Sequence, residues 1–323
     1  MNRPTIGYGT VRTAVEIGCR APSVHNTQPW SWRWDGRVLQ LHADRARQLP
    51  GTDPDAGELL LSCGAALHHV RVAFGALDIT TVVHRLPDAT DPDHLATVEL
   101  HHDRPVIAPD AITAIERRRT DRRPFTDWPV PEEFLHQLAA AAAEQGATMV
   151  PIHEGHARLA LLDAIALADD IAGGDPAQSV ESQLWSGVFA TAEGVPRSAV
   201  PADPDGVIGG SRFGSGTLTS PHRSDGAQLV VLGTSSDDRL SRLRAGEACS
   251  AVLLHATARG LASAALSRVL EYPATRAAVA EQVLDAALCP QLVVRIGWPQ
   301  TDAGMLRATP RRPVGEVLTT ALP

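Results

Sequence analysis

"CGAALHHVRVAFGAL", residues 63–77, has a counterpart in "CSAVLLHATARGLAS", residues 249–263. Setting Cys63 on Cys249 also aligns Ala65 with Ala251, Leu67 with Leu253 and His69 with His255. Each run steps its apolar residues by three and four, as a helix with a buried face requires, and each closes at a glycine. Ala-Gly-Glu precedes both, at 56–58 and 245–247, and a strand-like run follows both, "HLATVEL" at 94–100 and "PQLVVRI" at 290–296. Alanine-rich helices match one another by chance, so the shared order of elements is what points to an internal duplication. A duplicated chain can fold as a covalent imitation of a two-fold dimer.

Outward from these helices the pattern is α+β. A helix is expected over 10–19, then a hairpin in "WSWRWDGRVLQLHAD" turning at Asp35-Gly36, a strong two-residue turn signal, and the helix over 56–77. Further helices are expected over 110–120, 131–146, 156–174 and 246–266, and strands over 93–102, 227–233 and 290–297. We divide the chain into a shorter half, 1–108, and a longer half, 109–323. The stretch 193–226, rich in Gly, Pro and Ser, lacks periodicity and reads as a lid, a binding loop or a disordered segment.

The chain has 323 residues and a net charge of -8, so it can bury a sizeable core and has no general affinity for nucleic acid. Cys19, Cys63, Cys249 and Cys289 lie far apart with no CxxC spacing, which argues against a zinc site or disulfide framework and for a reducing, cytoplasmic setting. No apolar stretch is expected to reach the roughly 20 residues that span a bilayer. His68-His69 and His101-His102 are adjacent pairs, expected to diverge rather than to chelate a metal together. No P-loop or GxGxxG follows a strand.

Two local stretches carry chemistry. "RRRTDRRPF", 117–125, sets five arginines against one aspartate. Cations at a helix C-terminus are stabilising by about 0.3–1 kcal/mol each, which accounts for about two of them. The others suit a dianion, because guanidinium forks match phosphate oxygens in pairs. A second basic cluster, Arg307, Arg311 and Arg312, is bracketed by Pro310 and Pro313. The other stretch is "CRAPSVHNTQPW", 19–30, a proline-bounded elbow whose Asn26 and Gln28 offer donors and an acceptor each. Those amides suit the mixed edge of a flat heterocycle; they equally suit the backbone of the turn itself.

"APSVHNTQPW" followed by a hairpin, "RRTDRRPFTDWPV", "ATARGLAS" and "PQLVVRIGWP" with a closing "RRPVGEVL" resemble the FMN-dependent nitroreductase family, and their order resembles its actinobacterial Acg-type members. The resemblance implies an α+β nitroreductase-like fold, mixed sheets flanked by helices, duplicated so that one chain mimics the homodimer. It implies FMN as cofactor, NAD(P)H as reductant and a nitroaromatic or quinone-type acceptor. Arg118, Arg119, Thr120 and Arg122 would take the phosphate and ribityl end, with Arg311 as the C-terminal phosphate arginine. Pro22, Ser23, Asn26 and Gln28 would reach the ring from the other half. The family needs no side-chain acid or base, so no catalytic residue is assigned. The first half lacks the arginine motif and the second lacks the elbow, so one FMN per chain is expected. Two rival expectations are a non-catalytic flavin holder closed by the 193–226 segment and a scaffold without flavin.

Overall fold

Asp35 accepts hydrogen bonds from Arg37 N and Val38 N, both at 2.8 Å, and Gly36 takes φ 95°. These two residues turn β1 (Trp30–Trp34) back on β2 (Val38–Ala43). Period-two alternation sends Trp30, Trp32 and Trp34 into the core, so the tryptophans beside the elbow are structural. The computed structural model describes residues 6–102, 110–186, 193–203, 206–210, 212–220, 224–302 and 304–320.

The first half runs α1 (Tyr8–Gly18), β1, β2, α2 (Gly57–Ala76), β3 (Thr80–Arg85) and β4 (His94–His101). The second runs α3 (Ala111–Arg117), α4 (Glu132–Glu144), β5 (Thr148–Ile152), α5 (His156–Gly173), α6 (Pro176–Leu184), β6 (Gln228–Thr234), α7 (Arg239–Ala258), β7 (Ala262–Leu266), α8 (Pro273–Ala278) and β8 (Cys289–Gly297). Their sheets have matching orders, β3-β4-β2-β1 and β7-β8-β6-β5, antiparallel throughout. The C-terminal tail crosses back: after α9 (Val314–Val317), β9 (Leu318–Thr320) adds a parallel edge strand to β1, making that sheet mixed. The 108/109 boundary lies outside the described residues.

Helices α2 and α7 cross at the centre, and glycine makes the crossing possible. A Cβ on Gly64 would lie 2.0 Å from Leu243 O, and one on Gly246 would lie 2.0 Å from Leu61 O. The contact is reciprocal, as at an isologous two-fold interface. One shift of 182 positions carries Gly64 onto Gly246, Gly57–Ala76 onto Arg239–Ala258, and Thr80 of β3 onto Ala262 of β7. The alignment of Cys63 with Cys249 is therefore one helical turn out. Ala-Gly-Glu 56–58 opens α2, whereas 245–247 is interior to α7. A four-residue slip nearly preserves the buried face of a helix, so the periodicity survives it.

Other boundaries also move. The helix expected over 246–266 starts earlier, where Asp238 caps Ser241 N at 2.8 Å, and ends at Ala258, leaving 262–266 to β7. Helix α6 carries few large apolar residues, and its start is marked by Asp175-Pro176, a cap followed by proline at the first helical position. By length and hydropathy α2 does reach the size of a bilayer span, contrary to expectation; it is a core helix with 83% of that window buried. Around β6 the two faces serve different layers. Val230 and Leu232 pack towards α4 and α7, and Leu229 and Val231 towards α5 and the turns that carry Val269, Leu270, Val279 and Val283.

Candidate cofactor site

The elbow between α1 and β1 is held in a demanding backbone conformation. His25, Asn26 and Gln28 have φ of 46°, 56° and 51°, a left-handed region costing a non-glycine residue roughly 1–2 kcal/mol. Polar contacts compensate: Gln28 N donates to Ser23 Oγ at 3.0 Å, Val24 N to Ser62 Oγ at 3.2 Å, and Arg47 Nη1 to Thr27 O at 2.8 Å. Asn26 ties three segments together. Its Nδ2 donates to Gly194 O (2.9 Å) and Pro310 O (3.0 Å), and its Oδ1 accepts from Arg311 Nη1 (3.0 Å). Gln28 is fully buried, and its Oε1 accepts from Arg312 N at 2.9 Å.

The arginine motif lies along β7: Thr120 bridges Ser263, and Asp121 N donates to Ser263 O at 2.9 Å. Not all five arginines behave alike. Arg123 pairs with Asp121 at 2.7 Å, and Arg117 is exposed in the last turn of α3. Arg118 is buried and donates to Arg20 O at 3.1 Å; Arg311 donates to Arg20 O and Ala21 O at 3.1 and 3.2 Å. These carbonyls just past α1 orient the guanidiniums without neutralising them. Among the described residues no carboxylate pairs with Arg118, Arg119, Arg122 or Arg311, and the Nε atoms of Arg118, Arg119 and Arg311 are buried without partners. Burial and then mutual repulsion lower their proton affinity: Arg118 to about 10, with Arg119 beside it, and Arg122 to about 10, with Arg212 beside it. Arg311 falls to about 9, with Arg118 its strongest cationic neighbour. All remain cations at neutral pH and lack a counter-charge.

They open onto a cavity of about 360 Å³ between the halves, which Pro22, Ser23, Asn26, Arg118, Arg119, Thr120, Arg122 and Arg311 all line. Of the residues expected at the site, only Gln28 does not; it lies beneath and holds the tail. A second cavity, about 150 Å³, shares the wall of Pro22, Ser23, Thr120 and Arg122 and continues among Leu61, Ala65, Ile165, Leu266 and Leu292. The charged residues walling the first cavity are thus mainly cations, and the second mixes these apolar side chains with charged ones such as Glu58, Asp169 and Arg212. Described residues of the irregular stretch border both spaces: Val195 and Ala199 the first cavity, Gly209, Arg212 and Phe213 the second. Arg212 donates to His25 Nε2 at 2.7 Å and pairs with Glu271, and Phe213 meets the His25 ring edge-on at 5.0 Å.

Sequence reasoning missed Glu58, Arg212, Phe213 and Glu271. Glu58 was seen only as part of the repeated Ala-Gly-Glu, yet it borders the second cavity, and burial, with the Glu271 and Asp53 carboxylates nearby, raises its pKa to about 8. His68 and His69 do not diverge either, since both place Nδ1 at 2.7 Å from Ser250 Oγ.

Fold and cavities together define a class: an α+β chain of two topologically matched halves with a cationic cleft between them. Comparison with known proteins narrows it. No family model matches the chain. A Mycobacterium tuberculosis protein provisionally named an NAD(P)H nitroreductase is 43% identical over 96% of this chain and 91% of its own. A second one, provisionally named NAD(P)H nitroreductase acg, is 37% identical over 95% and 94%. The chain belongs to the nitroreductase family, Acg type. Among solved structures it is similar to FMN-bound nitroreductases of Bacteroides fragilis (14% identical, 62% of this chain and 94% of that one, TM-score 0.41) and Desulfitobacterium hafniense (14%, 66% and 98%, TM-score 0.43).

Proposed function

We propose that the chain binds one FMN between its halves, 1–108 and 109–323, and passes reducing equivalents from NAD(P)H to a nitroaromatic or quinone-type acceptor. The observation that carries this reading is the cluster of guanidiniums, Arg118 buried and Arg119, Arg122 and Arg311 half-buried, with no ion-pair partner among the described residues, opening onto a space that gains apolar walls past the elbow. Such a space suits an anionic tail joined to a flat ring. Arg118, Arg119, Arg122 and Arg311 hold the phosphate and ribityl end with Thr120, while Pro22 and Ser23 border the ring. Asn26 and Gln28 act through the tail, by fixing Arg311 and Arg312. Bound FMN supplies the hydride chemistry; the chain binds it, orients it and limits the access of water. Four unpaired cysteines, three of them buried, are consistent with a reducing cytoplasmic setting.

Heat-released cofactor, quantified by absorbance, should approach one FMN per polypeptide. A colourless protein that takes up no FMN would end the reading. A second reading, a flavin holder that does not turn over, is favoured by the hydrogen bonds that tie Gly194, Ala199 and Arg212 to Asn26, Arg122 and His25 beside the cavities. Stopped-flow mixing with NADH or NADPH separates the two. Prompt bleaching of the flavin band supports the reductase, and an unchanged band over minutes supports the holder.

A further inference from the structure

The shift of 182 positions that carries α2 and β3 onto α7 and β7 also locates, on those elements, the mates of residues at the cofactor site. On that side the elbow has no equivalent. Eleven residues join α1 to β1, but three, Gln145–Ala147, join α4 to β5. Two residues of the second cavity are Ala65 on α2 and Ser267 after β7. Their mates under the shift are Glu247 on α7 and Arg85 at the end of β3. Where the cofactor side has a methyl group and a hydroxyl bordering empty space, the mate side has a carboxylate and a guanidinium bonded to each other. Arg85 Nε reaches Glu247 Oε2 at 2.6 Å, and Arg85 Nη2 reaches Oε1 at 2.9 Å. Arg71, the mate of Leu253, adds Nη1 to Oε1 at 2.7 Å and holds Gln145 Oε1 at 2.9 Å, so the shortened connection joins the same cluster.

Glu247 is completely buried, and an unpaired carboxylate there would be costly. Its two arginines come from the other half, one from α2 and one from β3.

We propose that Glu247, Arg71 and Arg85 form a plug filling the two-fold mate of the cofactor cavity, so that the chain has lost its second flavin site by occupation as well as by loss of the binding motifs. The inference rests on the reading that FMN reaches from the first cavity into the second, where Ala65 and Ser267 lie. It assigns the triad a binding consequence, exclusion of a flat ring, beyond joining the halves.

The test gives each plug residue the side chain of its mate, in the holoprotein. A chain carrying Arg71→Leu, Arg85→Ser and Glu247→Ala should keep its one FMN and take up an added equivalent of lumichrome, a flavin ring without phosphate. Wild-type holoprotein should take up none, as followed by quenching of lumichrome fluorescence. A folded variant that retains FMN and shows no lumichrome uptake at millimolar concentration overturns the plug, as does a wild-type chain holding two flavins. The reciprocal variant, Ala65→Glu with Ser267→Arg, guards against failure of the first to fold. It should lower FMN affinity at least 100-fold with its circular dichroism unchanged, and undiminished FMN binding would overturn the proposal. If wild type binds no FMN, the flavin reading itself has failed, and lumichrome uptake confined to the mate-swapped variant would still report the plugged space.

Discussion

Single residues divide the arginines of this chain into two kinds that composition does not separate. Arg123 and Arg295 have carboxylates, Asp121 and Asp225, at 2.7 and 2.6 Å; Arg118 has a main-chain carbonyl, and Arg311 has carbonyls and the neutral Asn26 amide. Removing a buried cation without counter-charge should relieve the empty protein and harm the loaded one. Arg118→Met is therefore expected to raise the melting temperature of the apoprotein while weakening FMN binding by about 1.5–3 kcal/mol, roughly 10- to 150-fold. Calorimetry with a fluorescence titration checks both, and unchanged FMN affinity would remove Arg118 from the phosphate site. Glu58 gives a pH signature. Its pKa rises from an ordinary 4.5 to about 8 through burial and its neighbours Glu271 and Asp53, with Arg212 and Arg276 opposing. Between those values the folded chain keeps a proton that the unfolded chain has lost, so stability falls as pH rises across that window. Glu58→Gln should flatten the fall, and parallel urea midpoints for variant and wild type from pH 5 to about 8 would contradict it.

At the scale of elements, α2 and α7 depend on two glycines that lie at one reciprocal contact. Ala at either position puts a methyl group 2.0 Å from a carbonyl oxygen of the facing helix, a clash between backbones that rotamers cannot relieve. Gly64→Ala and Gly246→Ala should each cost about 1–3 kcal/mol, and by similar amounts if the crossing is two-fold. Urea denaturation measures this; a loss at one position alone would break the symmetry argument. Element existence was largely readable from sequence. The hairpin followed from Asp35-Gly36 and alternating tryptophans, and α2, α4 and α5 followed from periodicity. What failed were short or ambiguous runs: β3 and β5, which carry few residues, and 262–266, where "ASAAL" continues an alanine-rich pattern that a strand and a helix share.

For the whole molecule, the halves are joined by burial, by charge and by exchange of chain. Glu247→Ala leaves Arg71 and Arg85 facing one another without the carboxylate between them, and breaking a buried pair costs about 3–5 kcal/mol. The loss should appear as one cooperative transition shifted downward, because the triad spans both halves. Two separated transitions, with only one moved, would show that the halves unfold independently. The tail takes part in the same joining, with Val314, Val317 and Leu318 packed into the core of the first half, a few residues beyond Arg311.

Local chemistry alone determined the elbow, the arginine motif, the class of fold and the likeness of two helices, because turn residues, charge clusters and apolar periodicity act over a few residues of chain. Only the tertiary structure decided the register of the repeat, since slipping a helix by one turn leaves its buried face almost unchanged until backbones touch at Gly64 and Gly246. It also decided which arginines lack a counter-charge and what fills the mate of the cleft. Partners such as Glu247 and Arg85, 162 positions apart, are chosen by packing across the whole molecule.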